Sequence, residues 1–406
     1  MQYDLNSAAF LTNPYPIYDQ LRRHDPIYRS EANDYWIATR YADLLSLIHN
    51  PHLSSNRFAA HASRLPAEAK EHFRPFIAAI SSWMLMVDPP DHTRLRGLVN
   101  KAFTPRIVGT MRARIQALVD QMLDSVQANN RFDVIADLAV PLPGIVIAEM
   151  LGVPGSDLNE FKAWSDDIAS GLVGIDSAGG REEKLQLYRK AQDSLLALSN
   201  YFREKVVAFR GQPQDNLLGA LAQAEEAGDR LTEEELFANC VLLMIAGHET
   251  TTNLIGNGML ALLRHQEQQE LLAESPDLIV SAVEELLRYD SPVQKMARIA
   301  LDDVQVNGKQ IEKGQLVFLC FAAANRDPEQ FSTADELDIT RKENRHLAFG
   351  TGLHYCLGAA LARLEAQIAI NTILRRLPNV RLATERLEWH PSITLRGLKS
   401  LPVAFY

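Results

Sequence analysis

Apolar residues recur every three to four positions over most of the chain, which is the spacing of one face of an α-helix. Shorter strand-like segments and a hairpin signal, Asn307-Gly308, lie between the later helical segments. Helices are predicted over residues 42–49, 107–126, 145–151, 185–210 and 281–289. Strands are predicted over residues 34–39, 291–299, 304–306 and 316–319. The pattern predicts a protein that is mainly α, with small β-sheets.

The longest helical pattern covers residues 232–263 without a proline. A capping box of Thr232 and Glu235 marks its start. Roughly thirty residues at 1.5 Å each give a helix of about 50 Å. From Cys240 to Ala246 it is apolar on all sides, which indicates a helix buried in the protein centre.

Two residues that destabilise a buried helix follow within one turn of this segment. Gly247 in mid-helix is about 1 kcal/mol less favourable than alanine. Glu249 would place a carboxylate in an apolar environment, which is unfavourable unless the charge is paired. Their coincidence, directly before Thr250, indicates a function rather than a scaffold role.

A second unusual stretch, residues 349–358, reads Phe-Gly-Thr-Gly-Leu-His-Tyr-Cys-Leu-Gly. Its glycines reach backbone angles that other residues avoid, and they let a bulky planar group approach the main chain. Residues 359–365 form helix readily, so Cys356 should lie just before a helix N-terminus, which favours a thiolate. Such a thiolate is a metal ligand or a nucleophile, whereas the alternative is a buried structural cysteine.

Two charged pairs also have informative spacing. His92 and Arg96 lie four residues apart on a predicted helix that Asp91 would cap, so both donors could bind one carboxylate. Glu285 and Arg288 lie three residues apart and can pair on one helix face.

Composition narrows the class of protein. The chain has 406 residues, of which 47% are hydrophobic and 23% charged, as expected for a globular protein with a large core. A net charge of -10 makes nucleic acid an improbable partner. Three cysteines, Cys240, Cys320 and Cys356, argue against a disulfide framework and for a reducing compartment. The polar N-terminus has neither a signal peptide nor a membrane anchor, and no linker or repeat divides the single domain expected over residues 1–406.

The pattern Phe-Gly-x-Gly-x-His-x-Cys-x-Gly resembles the haem-thiolate signature of the cytochrome P450 monooxygenases. The resemblance implies that Cys356 is the proximal ligand of the iron of haem b. It implies the triangular prism of the P450 fold, with haem between the long helix and the helix after Cys356. It also implies a monomeric, cytoplasmic protein of the soluble bacterial type.

The family's motifs imply roles for further residues. In the oxygen-activation motif, Gly247 would leave room for dioxygen, Thr250 would hydrogen-bond it and Glu249 would relay protons. Glu285 and Arg288 would be structural. Expected haem contacts are His92, Arg96, Ala246, Gly247, Arg298, Phe349, Gly350, His354, Cys356 and Gly358, of which His92, Arg96, Arg298 and His354 would bind the propionates.

The resemblance also implies an activity and its partners. Two electrons from a ferredoxin-type donor with its NAD(P)H-dependent reductase would activate O2 to hydroxylate or epoxidise an apolar molecule, such as a polyketide or another secondary metabolite. Residues 92–114 hold six Arg and Lys and no Asp or Glu, which suits docking of an acidic donor. Substrate-lining residues are expected at Trp83, Leu85, Leu242, Ala246, Val293 and Thr394.

Three alternatives remain open. One is a peroxygenase of the same fold that uses hydrogen peroxide directly, although such enzymes usually lack the acid–alcohol pair seen at Glu249 and Thr250. Another is a non-catalytic haem-binding protein, which would need no proton relay. The third is a thiol or zinc enzyme centred on Cys356.

Overall fold

The computed structural model describes residues 3–58, 67–126, 130–174, 181–211, 216–226 and 229–406. The chain divides into two compact units. The first unit comprises Met1–Leu53, Gly109–Pro143 and Glu249–Tyr406. The second comprises Ser54–Val108 and Gly144–His248.

Helices dominate the described residues. One π-helical turn covers Val134–Ala139, and 3₁₀ turns cover Gly155–Asp157, Pro276–Leu278 and Gly352–His354. The α-helices are Ala8–Thr12, Tyr15–His24, Tyr41–Ile48, Ala67–His72, Arg74–Ser81, Asp91–Ala102, Pro105–Thr110, Arg112–Val126, Pro141–Met150, Leu158–Gly174, Arg181–Gly211, Leu217–Gln223, Glu233–Arg264, Gln266–Glu274, Ile279–Tyr289, Phe321–Ala324 and Ala359–Arg376.

Small sheets supply the β-structure. The largest has five strands in the order Ile27–Ser30, Tyr35–Ala38, Leu316–Leu319, Met296–Ala300 and Leu53–Ser54. A three-stranded sheet joins Arg381–Leu382, Pro402–Ala404 and Arg131–Asp133. Two-stranded ribbons pair Glu225–Glu226 with Asp229–Arg230 and Val304–Val306 with Lys309–Ile311.

Both faces of the five-stranded sheet are buried. Because alternate side chains of a strand point to opposite faces, Trp36 and Val317 enter one apolar cluster while Ile37 and Phe318 enter another. This explains why all four residues of Tyr35–Ala38 are buried. The sheet therefore forms the middle layer of the core of the first unit.

Two long helices pack closely in the second unit. A Cβ atom added to Gly171 would lie 2.4 Å from the Cβ of Ala191, so the helices Leu158–Gly174 and Arg181–Gly211 approach at a point where only glycine fits. Tyr188 packs against Phe73 and Phe76, with ring centroids 5.3 and 6.1 Å apart.

Most predicted elements are present, and three predictions need correction. The pattern over 107–126 divides into Pro105–Thr110 and Arg112–Val126, and only the end of 291–299 is a strand, Met296–Ala300. Asp91 does not cap its helix, because the helix already begins at Asp91. As a first-turn acid it still interacts favourably with the helix dipole.

The long helix, Glu233–Arg264, has the predicted capping box. The Thr232 N–H donates to Glu235 Oε2 (2.9 Å), and the Glu235 N–H donates to Thr232 Oγ1 (3.2 Å). Within the described part of the chain, no helix is both long and apolar enough to cross a bilayer.

Candidate haem-thiolate site

The candidate metal ligand lies in a closed turn, residues 349–358, which we call the cysteine loop. Gly350 and Gly352 have φ angles of 67° and 70°, in the left-handed region that favours glycine. The Cys356 N–H donates to the Phe349 carbonyl (2.9 Å), which closes the loop on itself. The loop thus holds Cys356 in a defined place two residues before Gly358.

Gly358 is the N-cap of the helix Ala359–Arg376, which we call the cysteine-loop helix. Cys356 is therefore one turn from a helix N-terminus, as predicted, where free N–H groups and the helix dipole favour a thiolate. A Cβ atom added to Gly358 would meet no other part of the described chain within 4 Å, so the space beside this glycine is open.

Cys356 differs from the other two cysteines. Cys240 and Cys320 are fully buried, and burial raises the pKa of both thiols. Cys356 is only half-buried. The thiols of Cys240 and Cys320 are therefore poorer candidates for a metal ligand than that of Cys356.

The donor set fits haem better than zinc. In the described ranges, no group of three or more His, Cys, Asp or Glu side chains is arranged to hold a metal ion. Structural and catalytic zinc sites need three or four protein ligands. A single thiolate would suit haem iron, because the porphyrin itself supplies four nitrogen ligands.

The middle of the long helix is accessible. Cys240 to Met244 are buried, and Thr251 to Leu262 are buried again. Between them Ala246 is exposed, while Ile245 and residues 247–250 are partly exposed. The prediction of burial through Ala246 is therefore wrong for its last two residues, and the Glu249 carboxylate is not fully buried. This accessible window, residues 245–250, thus lies between two buried stretches of the helix.

Gly247 lies in that window. A Cβ added there would have its nearest neighbour, Ile147 Cγ1, at 3.7 Å, which is ordinary contact. Packing within the second unit therefore does not require a glycine at this position.

Two predicted propionate contacts belong to the first unit, as Cys356 does. Arg298 is buried on the strand Met296–Ala300, and its Nη1 donates to the Ala297 carbonyl (3.1 Å). His354 ends the 3₁₀ turn Gly352–His354 inside the cysteine loop.

The other two predicted propionate contacts belong to the second unit. His92 is buried, and Arg96 follows one helical turn later on the helix Asp91–Ala102. Ala246 and Gly247 are also in this unit.

Two predicted substrate-lining residues come together in the first unit. Val293 forms a β-bridge with Leu395, and the Gln294 N–H donates to the Thr394 carbonyl (2.8 Å). The chain after Thr394 is held by the long helix, because the Asn257 Nδ2 donates to the Arg396 carbonyl (2.9 Å).

The remaining substrate-lining predictions differ in burial. Trp83 and Leu242 are buried, with 2% and 5% of their surface exposed, while Leu85 is partly exposed and Ala246 is exposed. Ala246 is thus the most accessible of these four residues.

Glu285 and Arg288 form the ion pair that their spacing predicts. Both side chains are fully buried, and two nitrogens of Arg288 bind the two carboxylate oxygens at 2.8 and 2.7 Å. Arg288 also donates to the carbonyls of Asn325 and Ala334. Arg341 adds a second cation to Glu285 at 3.0 Å. The pair fixes the segment that precedes the cysteine loop.

A neighbouring acid was missed by the sequence reasoning. Glu284 accepts hydrogen bonds from Arg363 and His346, on either side of the cysteine loop. Its partners lie 62 and 79 positions along the chain, so no local spacing indicates them. Only its position beside Glu285 could have drawn attention to it.

Comparison with known proteins agrees with this geometry. The family model of cytochrome P450 matches residues 62–380. Cytochrome P450 CYP107DY1 of Priestia megaterium is 42% identical, over 99% of this chain and 98% of that protein. The polyketide biosynthesis cytochrome P450 PksS of Bacillus subtilis is 39% identical, over 100% and 98%.

A solved structure has the same fold. P450BioI, in complex with an acyl carrier protein ligated to hexadec-9Z-enoic acid, superposes with a TM-score of 0.90 at 39% identity, over 98% of this chain and 99% of that chain. The matches extend over almost the full length of the chain and of these relatives. The chain therefore belongs to the cytochrome P450 family and is a monooxygenase whose cofactor is haem b.

Proposed function

We propose that this monooxygenase hydroxylates or epoxidises an apolar small molecule, a secondary metabolite such as a polyketide. The electrons come from a ferredoxin-type donor with its NAD(P)H-dependent reductase. The observation that carries the haem chemistry is the half-buried Cys356 in a glycine loop before a helix N-terminus. The likeness to PksS, named for polyketide biosynthesis, supports the substrate class.

We assign the haem contacts by residue. Cys356 supplies the thiolate, and the positive or donor side chains of Arg298, His354, His92 and Arg96 bind the propionates, because a carboxylate is held best by charge-assisted hydrogen bonds. Phe349, Gly350, Gly358, Ala246 and Gly247 surround the ring. When bound, the haem supplies the iron centre that activates dioxygen.

The protein contributes the protons. Thr250 holds a proton on Oγ1 for a hydrogen bond to the dioxygen substrate, and Glu249 passes protons inward from solvent. Both residues lie in the accessible window of the long helix, which supports this assignment. A positioned acid–alcohol pair is the usual arrangement for delivering protons to a reacting oxygen.

The substrate side is assigned to Trp83, Leu85, Leu242, Ala246, Val293 and Thr394. We infer that residues 1–406 act as one domain, since the long helix contributes Glu233–His248 to the second unit and Glu249–Arg264 to the first.

A peroxygenase of the same fold is the second candidate. Hydrogen peroxide already carries both electrons and protons, so a peroxygenase does not need the Glu249–Thr250 pair. The presence of the pair in the accessible window favours the O2-dependent reaction.

One experiment tests the central claim. The reduced carbon-monoxide difference spectrum of the purified protein is recorded beside that of Cys356→Ser. We expect a red-shifted Soret band that is lost in the variant, with Cys320→Ser, a buried cysteine, as the matched control. If the red-shifted Soret band survives in Cys356→Ser, the proposal is refuted.

A parallel assay separates the two reactions. Turnover with hydrogen peroxide alone is compared with turnover supplied by ferredoxin, reductase and NAD(P)H. The O2-dependent reaction predicts product mainly in the second mixture, and equal turnover in both mixtures would favour the peroxygenase.

A further inference from the structure

Two consecutive glutamates on the helix Ile279–Tyr289 have different partners. Glu285 is fully buried and binds Arg288 and Arg341. Glu284 is a quarter exposed and binds Arg363 and His346. Consecutive residues on a helix do not face each other, so each glutamate serves a different segment of the first unit.

The bond between Glu284 and Arg363 is bidentate. Arg363 Nε donates to one carboxylate oxygen at 2.6 Å, and Nη2 donates to the other at 2.8 Å. Bidentate pairs of this kind are among the strongest hydrogen-bonded side-chain contacts, and they fix the orientation of both the guanidinium and the carboxylate. Burial raises the pKa of Glu284, but hydrogen bonds from Arg363 and His346 outweigh it and lower the pKa to about 2. The carboxylate is therefore charged throughout the physiological range.

Arg363 reaches the cysteine loop from the cysteine-loop helix. Its guanidinium carbon lies 4.5 Å from the centroid of the Phe349 ring, a cation–π contact. Its Nη1 donates to the Tyr355 hydroxyl at 3.2 Å. Phe349 and Tyr355 flank Cys356: the Phe349 carbonyl accepts the Cys356 N–H at 2.9 Å, and Tyr355 is the preceding residue.

His346 binds Glu284 from the other side of the loop. The Ala348 N–H donates to His346 Nδ1 at 3.2 Å, so Nε2 carries the ring proton and donates it to Glu284 Oε2 at 3.1 Å. The ring is almost fully buried and lies 6.0 Å from that of Phe349. Glu284 thus contacts the chain just before the loop and the helix just after it.

We propose that Glu284, paired with Arg363 and His346, is a positioning residue for the cysteine ligand: it holds both ends of the cysteine loop and balances the Arg363 charge beside it. The inference rests on the proposed function, since it assumes that Cys356 binds haem iron. It concerns a different acid from Glu285, whose partners precede the loop.

The charges of Glu284 and Arg363 predict in which direction each substitution shifts the reduction potential. Reduction of ferric haem adds one negative charge, which an uncompensated cation nearby stabilises and an uncompensated anion opposes. Glu284→Gln leaves the Arg363 cation unbalanced and should raise the reduction potential. Arg363→Gln leaves the Glu284 anion unbalanced and should lower it. The double variant should return towards the wild-type value, as expected for directly coupled residues.

The variant Arg363→Lys separates the effect of the positive charge at residue 363 from the effect of its bidentate bond to Glu284. Lysine keeps the cation but lacks the planar fork that binds both carboxylate oxygens. We expect a potential near the wild-type value, together with faster hydrogen–deuterium exchange in a peptide covering residues 346–358.

The test uses the haem-loaded protein and two matched controls. Arg376 lies on the same cysteine-loop helix and pairs with Asp120 and Asp124. Arg376→Gln and Asp120→Asn therefore remove the same charges from the far end of that helix. The measurements are the reduction potential, the fraction of the carbon-monoxide complex with the red-shifted Soret band, and hydrogen–deuterium exchange of residues 346–358.

The expected result is opposite potential shifts in Glu284→Gln and Arg363→Gln. Both variants should lose part of the red-shifted band and exchange faster in the loop, and neither control should change any of these readouts. Shifts of the same sign, or shifts matched by the controls, would show a general loss of stability and overturn the proposal. If wild type shows the red-shifted band and Glu284→Gln matches it in every readout, the positioning role fails while the proposed function stands. If the wild-type protein lacks that band, the proposed function itself is refuted.

Discussion

We expect single residues in the accessible window of the long helix to determine how much of the electron supply is used to form product. If Thr250 holds a proton for dioxygen, Thr250→Ala should still bind haem and substrate and still consume NAD(P)H. Product formed per NAD(P)H should fall by about a hundredfold, the lower end of what a positioned proton donor contributes. The measurement is product and hydrogen peroxide formed per NAD(P)H.

Two matched variants make this prediction sharper. Thr250→Ser keeps a hydroxyl and should retain most of the coupling. Thr251→Ala removes the hydroxyl of the next residue, which is buried, and should leave coupling unchanged. Equal uncoupling in Thr250→Ala and Thr251→Ala would mean that the hydroxyl at 250 has no special role.

Glu365 is a buried acid that the proposed mechanism does not use. It lies on the cysteine-loop helix with 1% of its surface exposed, and its Oε2 has no hydrogen-bond partner among the described residues. Burial raises its pKa well above the ordinary value, so the folded protein holds it as a neutral acid. In the unfolded chain it ionises near pH 4.5, so above that pH the residue favours unfolding.

Glu365→Gln should therefore gain stability over wild type as pH rises. The two proteins should melt at similar temperatures near pH 4, while at pH 8 the variant should melt higher, by on the order of 1–3 °C. Thermal melts across this range are the measurement, with the exposed Glu385→Gln as control. A difference in melting temperature that does not change with pH would contradict the neutral-acid assignment.

At the scale of elements, close approach of two helices should make one glycine essential. Alanine normally stabilises a helix by about 1 kcal/mol relative to glycine. At Gly171 the new Cβ would lie 2.4 Å from Ala191, so Gly171→Ala should instead destabilise the protein by about 1–3 kcal/mol through overpacking. Chemical denaturation measures the change.

The sign of this effect can be checked within the same chain. Gly109 is also helical, but a Cβ there would meet no atom within 4 Å, so Gly109→Ala should be neutral or stabilising. Adding Ala191→Gly to Gly171→Ala should recover part of the lost stability, because it removes the Cβ atom that clashes. If Gly171→Ala and Gly109→Ala have the same effect, the helices do not approach as closely as described.

The elements also show what the sequence could and could not predict. The capping box of Thr232 and Glu235 and the Glu285–Arg288 pair are local, so spacing alone predicted them correctly. The Glu284–Arg363 bond joins residues 79 positions apart, and nothing local signals it. The helix segment up to Ala246 was predicted as buried, because an apolar segment has the same sequence pattern whether or not other parts of the chain cover it.

Long-range contacts also account for the shortened strand. Residues 291–299 have strand-like composition, but the Gln294 N–H binds Thr394 and its carbonyl binds the Ala322 N–H. These long-range partners draw the first half of the segment away from the sheet, which leaves Met296–Ala300 as the strand. Sequence patterns therefore predicted the type of most elements and the position of Cys356 just before a helix, while tertiary contacts decided boundaries and accessibility.

For the whole molecule, the distribution of charge bears on the electron donor. The net charge of -10 should repel an acidic ferredoxin, yet residues 92–114 hold six basic residues and no acidic ones. Arg94 does not serve this purpose, because it pairs with Glu235 and Asp229 within the second unit. Arg106 and Arg112 are exposed, so they remain candidates for recognition of an acidic partner.

Arg112→Gln should therefore raise the KM for a ferredoxin several-fold with little change in kcat, because electrostatic complementarity acts mainly on association. Attraction between exposed charges is screened over about 8 Å at physiological salt, so added salt should raise the wild-type KM more than that of the variant. The control Arg189→Gln removes the same charge from the exposed face of the helix Arg181–Gly211, and it should keep wild-type kinetics and salt dependence. If the two variants raise KM equally, the attraction depends only on net charge, and the basic segment has no specific part in docking the donor.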